Sequence, residues 1–456
     1  MVQPNISHRF SSNEIIQILD ESVLKNIKIC DSSSNIDRDE VDGSFAGDKQ
    51  EKNYRTDREE SSKVNGEDLH MFGINMSWKA SLFGVTGSSE RRVWLQKILE
   101  SLTSKFPVRV LTDFTRAGCL DEGISGIWTS GWVVVHKRTL VYYVQDGNVK
   151  ESDLRKARCT VLQHSKHETA TLSVVEKGPL ILVDFPGQSL YLQMNTIKET
   201  MGWHSVIRSA AVDNGLSLDQ QQLTREDIPT IVDKCINFVY AHGSMSEGIY
   251  RRSGANSNVT KLLTLFRQDA WSVQLTRQDY TEYDVSSVLK RFLRDLPEPL
   301  LTTELHSQLC EITAGISGSD RVRHYQNVLE QLPRINYNTT RKLMGHLHFI
   351  HQQHEKNLMP VENLAAIWGP TLMHVEGGDN LNWSQMESGV VSDLILLYSK
   401  IFEVDAAEMQ REKQMQEVLE RYHAANTTVP QSKPSGDLKI WIHLVNRNSN
   451  NCVNVT

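Results

Sequence analysis

The chain has 456 residues, a formal net charge of −7, and hydrophobic and charged shares of 39% and 23%. That balance excludes collagen-like, wholly disordered and disulfide-scaffold classes, and at about 100–200 residues per domain it allows about two to four domains. A mildly acidic total argues against a generic nucleic-acid binder, which carries an excess of Lys and Arg, and no apolar run reaches the roughly 18 residues of a membrane-spanning helix.

The acidity is local. Residues 1–68 hold 9 Lys and Arg against 15 Asp and Glu, and the remaining 388 hold 40 against 41. The stretch from Cys30 to Asp68 is rich in Ser, Asn, Asp, Glu and Gly. It has too little apolar surface to offset its ordering entropy, so residues 1–68 read as a mostly disordered acidic leader, with one short helix within 12–29. Residues 69–107 read as a strand at Phe83-Gly-Val and a helix starting near Ser89, its N-cap, with Val93, Trp94, Ile98 and Leu102 at helical spacing. One strand and one helix are too little for an independent core.

Residues 108–214 change pattern. Strand-like runs follow at Trp132–His136, Thr139–Val144, Ala157–Leu162, Thr171–Val175, Leu180–Val183 and Ser189–Gln193, separated by turns such as His136-Lys-Arg, and a helix follows over Thr196–Ala211. Six or seven antiparallel strands and a closing helix predict a small barrel or sandwich. From Asp219 to about Glu403 the periodicity is helical, with windows at Pro229–His242, Ser257–Ala270, Val285–Leu296, Thr302–Ile316, Asp320–Gln331, Asn338–His354, Val361–Trp368 and Glu387–Phe402. This predicts an all-α domain. A charged helix and a Thr/Pro/Ser linker fill 405–435, and a strand begins at Asp437 within 436–456. The two ends read as parts of domains whose remainder is missing, as in a truncated isoform.

Three blocks carry chemistry. Glu247-Gly-Ile-Tyr-Arg-Arg-Ser-Gly254 is a loop from which Arg251 or Arg252 can project, and an exposed guanidinium neutralises phosphate charge. In Val285–Leu296 the apolar positions make one helix face, Lys290 and Arg294 lie four apart on the other, and Pro297 and Pro299 stop the helix. Two like charges so placed repel mildly, a cost that an acidic partner would offset. Asn363-Leu-Ala-Ala-Ile-Trp-Gly-Pro370 offers Leu364, Ile367 and Trp368 for packing, and Asn363 either as a cap or as an amide for a partner's backbone. His346, His348, His351 and His354 crowd one helix, but without His-Glu-x-x-His they read as surface or capping residues and no metal is expected. Neither Gly-x-x-x-x-Gly-Lys-[Ser/Thr] nor Gly-x-Ser-x-Gly occurs. The six cysteines are scattered with no Cys-x-x-Cys, so free thiols in a reducing cytoplasm are expected.

Together and in this order, these blocks resemble the RhoGAP domain over residues 217–404. Leu332-Pro-x-x-Asn336, Thr340 and Leu343 fit as well. The resemblance implies a GTPase activator, not itself an enzyme, for a Rho-family G protein in its GTP-bound state. Arg251 would be the catalytic arginine finger. Lys290 and Arg294 would support the loop and the docked switch regions, Asn363 would contact the G protein, and Pro370 would hold the adjoining turn. Trp368 stands where that family often has Phe. No cofactor is implied, since GTP and Mg²⁺ belong to the partner. The alternative is a non-catalytic G-protein or lipid-docking adaptor of the same fold, but the finger, Lys290 and Asn363 are all kept.

The flanks resemble a pleckstrin homology (PH) domain at 108–214, the end of another at 69–107, and the opening hairpin of a Ras-associating domain at 436–456. The implied fold is thus a multidomain chain, a PH-like β-barrel followed by an all-α RhoGAP domain. That order is similar to the ARAP family (Arf-GAP, Rho-GAP, ankyrin repeat and PH domain proteins). Without four clustered cysteines, no Arf-directed activity is carried over. The resemblance brings in a phosphoinositide membrane surface as a second partner, with recruitment of a cytoplasmic protein to the plasma membrane. Against this, Asp121-Glu-Gly-Ile-Ser-Gly-Ile-Trp-Thr-Ser130 fills the first hairpin without a basic residue, and only Lys137 and Arg138 occupy the next turn.

Overall fold

A computed structural model describes residues 28–31, 62–64, 67–75, 80–85, 87–102, 105–124, 127–144, 147–163, 179–194, 197–315, 319–374 and 381–428. The chain divides into two units, Met1–Ala211 and Val212–Thr456.

The first unit is built on antiparallel strands: β1 (Lys28–Asp31), β2 (Ser62–Val64), β3 (Glu67–Asn75), β4 (Ala80–Val85), β5 (Arg116–Ile124), β6 (Ile127–His136), β7 (Thr139–Val144), β8 (Lys150–Asp153), β9 (Cys159–Gln163), β10 (Leu180–Phe185) and β11 (Gln188–Gln193). Two helices, α1 (Ser88–Leu102) and α2 (Val108–Leu111), precede β5, and α3 (Ile197–Val212) follows β11. Residues 116–193 form the path β8-β7-β6-β5-β11-β10-β9. Alternation explains the inward faces: Ile181, Val183 and Phe185 on β10, and Leu190 and Leu192 on β11, are buried while their neighbours are half-exposed or exposed.

The expected barrel is not closed among the described residues. β8 pairs only with β7, and β9 only with β10. One edge of β5 is shared: its Arg116–Gly118 half pairs with β1 and its Asp121–Gly123 half with β11. The segment read as a disordered leader therefore contributes strands, β1 and β2, because backbone pairing with β3 and β5 supplies what its side chains do not. The rest of that reading, most of the helix expected within 12–29, the strand expected at Thr171–Val175 and the hairpin at 436–456 lie outside the described residues. Residues 69–107 do not stand alone. Leu95, Ile98 and Leu99 of α1 share a core with Phe106, Val110, Leu111, Phe114, Val134 and Val141. The helix opens at Ser88, so Ser89 lies inside it and is not its cap.

The second unit is helical: α4 (Thr230–His242), α5 (Asn256–Asp269), α6 (Glu282–Arg294), α7 (His306–Gly315), α8 (Ser319–Leu329), α9 (Arg334–Gln352), α10 (His354–Asn357), α11 (Val361–Met373), α12 (Leu381–Leu396), α13 (Tyr398–Ile401) and α14 (Ala406–Thr428). Its main core is drawn from nearly all of them, including Val232 and Ile236 of α4, Val288 and Leu289 of α6, Leu343 and Leu347 of α9, and Leu364 and Trp368 of α11. α11 runs on through Pro370 rather than stopping at Trp368. A Cβ on Gly369 would lie 2.8 Å from the backbone of Glu387 and Ser388, so α11 and α12 meet main chain to main chain at that point.

Candidate functional site

The loop 247–254 joins α4 to α5, and its shape follows from its residues. Gly248 takes φ 69°, a left-handed conformation that suits glycine, and its N–H donates to the Asn357 carbonyl at 2.7 Å. Arg251 and Arg252 N–H groups donate back to the Gly248 carbonyl at 2.9 and 2.8 Å. Gly254 is required sterically, because a Cβ there would sit 2.4 Å from the Asp284 Cα.

Asp284 anchors the far side of the loop. With Thr281 it forms the capping box of α6: Thr281 Oγ1 accepts from the Asp284 N–H at 3.2 Å, and Asp284 Oδ2 accepts from the Thr281 N–H at 3.0 Å. Its Oδ1 accepts the Ala255 N–H at 2.7 Å, and Asn258 Nδ2 donates to Oδ2 at 3.1 Å. Burial pushes this carboxyl's pKa upward, but the hydrogen bonds from Thr281, Asn258 and Ala255 outweigh it and leave it below the ordinary carboxylate value.

The two arginines of the loop are not equivalent. The Arg252 guanidinium lies 4.9 Å from the centre of the Tyr283 ring and donates to the Tyr283 hydroxyl at 3.4 Å, and that hydroxyl donates to the Glu247 carbonyl at 3.0 Å. Arg251 is exposed, and its side chain makes no hydrogen bond or ion pair among the described residues.

Lys290, on α6, is half-buried and donates from Nζ to the Tyr250 carbonyl. Desolvation, then the nearby Arg294 charge, lowers its pKa. Arg294 lies one turn further on, exposed, with a 3.4 Å contact to the also exposed Asp295 as its one ion pair among the described residues. Asn363 sits in the first turn of α11 and donates to the Leu358 carbonyl at 3.4 Å. Asn363, Ala366, Ile367 and Pro370 form an uncharged, partly exposed stripe on α11. Pro370 therefore lies within a helix and not in an adjoining turn. Its ring removes one backbone bond, and Thr371 Oγ1 donates to the Ile367 carbonyl at 2.8 Å beside the gap.

The structure thus joins Arg251 to Lys290 through Tyr250, and to Asn357, the last residue of α10, through Gly248. Asn357 is fully buried and holds Ser244 and Ile350 carbonyls at 2.8 Å each, with its own oxygen on the Met359 N–H. Among the described residues no hydrogen bond or ion pair ties Arg294 or Pro370 to the loop. Sequence reading missed Asn357, Asp284, Tyr250 and His346. Only Asp284 had a local signal, the Thr281-x-x-Asp284 spacing of a capping box. The histidine helix also needs correction: His346 is fully buried, not at the surface, and its Nε2 meets the Tyr250 hydroxyl at 2.5 Å. Burial lowers its pKa to about 3, so the imidazole is neutral. No cluster of metal-binding side chains occurs among the described residues.

Residues 229–377 match the RhoGAP domain family. The chain is 31% identical over 328 residues to mouse Arf-GAP with Rho-GAP domain, ANK repeat and PH domain-containing protein 3, covering 72% of this chain and 21% of that protein. It is 29% identical over 386 residues to human Arf-GAP with Rho-GAP domain, ANK repeat and PH domain-containing protein 2, covering 84% and 22%. It therefore spans about a fifth of the length of these relatives. Mouse unconventional myosin-IXa is 35% identical over 158 residues, 34% of this chain and 6% of that one. Among solved structures, human Rho GTPase activating protein 15 is 26% identical, with 43% of this chain and 95% of that chain covered and a TM-score of 0.39.

Proposed function

We propose that this chain, which carries a RhoGAP domain and is homologous to Arf-GAP with Rho-GAP domain, ANK repeat and PH domain-containing proteins 2 and 3, accelerates GTP hydrolysis by a Rho-family G protein, with Arg251 supplied in trans. The observation that carries the reading is the contrast within the loop: Arg252 stacks on and bonds to Tyr283, while Arg251 is exposed with no hydrogen bond or ion pair from its guanidinium among the described residues, beside a backbone fixed on both sides.

During hydrolysis negative charge moves toward the leaving β-phosphate oxygens. A guanidinium inserted there, in a site from which docking has expelled water, stabilises that charge. Such an arginine raises the rate by about 10³–10⁵, or about 4–7 kcal/mol at roughly 1.4 kcal/mol per tenfold. Lys290 keeps the finger's neighbour in place, and the stripe Asn363–Pro370 with Arg294 supplies the docking surface. GTP and Mg²⁺ come with the GTP-bound partner. The strand order β8-β7-β6-β5-β11-β10-β9, followed by α3 with its buried Trp203, supports a PH-like reading of the first unit. Its role here is protein docking or structural support.

Stimulated hydrolysis measured across Rho, Rac and Ras proteins tests the activity. The wild-type chain accelerates at least one Rho-family member, and Arg251→Ala loses that acceleration while still binding it. An Arg251→Ala variant with near-normal stimulation would sink the assignment of Arg251 as the finger, whereas a wild-type chain that binds a Rho-family G protein without accelerating its hydrolysis would favour the adaptor reading.

A further inference from the structure

Resting on the activity just proposed, we infer that Tyr250 and His346 are a positioning pair: their hydrogen bond holds Arg251 outward, and it sets the maximal stimulated rate rather than the affinity for the G protein. Arg251 has no side-chain partner among the described residues, so its direction comes from the backbone next to it. That neighbour is unusual. Tyr250 has φ 70°, a left-handed conformation that an aromatic residue adopts rarely, and its side chain is fully buried. A disfavoured backbone persists only where its surroundings fix it.

Three contacts do so. The Tyr250 carbonyl receives Lys290 Nζ, the ring meets Trp368 edge-on at 5.1 Å, and the hydroxyl meets His346 Nε2 at 2.5 Å. The third contact lies 96 residues away in sequence. A histidine in the middle of an apolar helix face is costly to bury without a partner, and Tyr250 is that partner. The Tyr240 ring, 4.5 Å away and nearly perpendicular, backs the imidazole from another side. Donation from the Tyr250 hydroxyl to Nε2, with the ring proton on Nδ1, leaves the fewest unpaired groups.

Three full-length variants test this: Tyr250→Phe, His346→Leu and the double variant. Each single change leaves one buried polar group without its partner, whereas the double change removes both. Using a Rho-family G protein that the wild type activates, each single variant is expected to lower the maximal stimulated rate about tenfold with the half-saturating concentration within about twofold, and the double variant to recover to within about threefold of wild type. Hydrogen exchange of the Gly248–Arg252 amides, which needs no G protein, is expected to quicken in each single variant and return in the double.

Single variants that keep the wild-type rate, a double variant whose losses multiply, or unchanged amide protection would overturn the pair. A wild-type chain that stimulates no G protein would refute the proposed activity instead, and the exchange measurement would then still decide whether Tyr250 and His346 fix the loop.

Discussion

Arg251, on the 247–254 loop, and Asp284, on α6 behind its end, do opposite kinds of work. The role proposed for Arg251 calls for a planar, delocalised cation with several donors, which a lysine ammonium does not supply. Arg251→Lys is therefore expected to fall to within about tenfold of Arg251→Ala in stimulated hydrolysis despite keeping the charge, as a single-turnover assay would show. Asp284 is a stability residue. Its native pKa lies below that of the unfolded chain, so the native state binds fewer protons. Its contribution is complete above the unfolded carboxylate value, about 3.9, and is lost as pH falls through the lower native value. Urea melts between neutral and strongly acidic pH are expected to show wild-type stability falling in that window, and Asp284→Asn flattening the fall. An unchanged slope would remove Asp284 from the account. His346 works in the same direction over a higher window. Buried and neutral down to about pH 3, it costs stability as pH drops below the ordinary histidine value, because the unfolded chain takes up a proton that the native one refuses. His346→Leu removes that dependence.

Helices α6 and α11 carry the candidate site residues, and both were readable from period alone. The apolar positions of 285–296 gave α6 its buried face, and Leu364 with Trp368 gave α11 its own. The end of α11 was not readable, because a proline inside a helical pattern predicts a break. The helix survives since its register is set from outside, by α12 at Gly369. On the same helix, Ala366→Glu puts a charge into the uncharged stripe without touching the core. It is expected to raise the half-saturating concentration by about tenfold or more, leaving the thermal midpoint and maximal rate near wild type. A variant that binds normally would move the docking surface elsewhere. Strand β5 shows the opposite failure. Arg-Ala-Gly-Cys-Leu-Asp-Glu-Gly-Ile has no clean alternation, and it is a strand because β6 pairs along one edge while β1 and β11 share the other. The Tyr250–His346 contact was hidden for a related reason: pairing across 96 residues leaves no local pattern.

For the whole molecule, charge bears on membrane contact. Residues 69–456 are near neutral, with 40 Lys and Arg against 41 Asp and Glu, and the stretch Asp121–Ser130 has no basic residue. Arg138, in the next turn, donates to the Ala210 and Ala211 carbonyls at 2.7 and 3.0 Å, which makes it a cap for the end of α3. Lys137 alone is a weak anchor. The full chain is accordingly expected to stay in the supernatant when sedimented with phosphatidylcholine vesicles carrying a phosphoinositide. Strong pelleting that salt reverses would reinstate a lipid site.

The contact at Gly369 has a thermal consequence. Interfaces between helices usually rest on side chains, which hop among rotamers and loosen on warming. At Gly369 itself α11 meets α12 with no side chain of its own, hence no rotamers to populate at that point. The stripe Asn363–Pro370 is referenced to main chain, so its position should drift little between cold and physiological temperature, and a bulky residue at 369 would cost the surface its fixed datum rather than merely its packing.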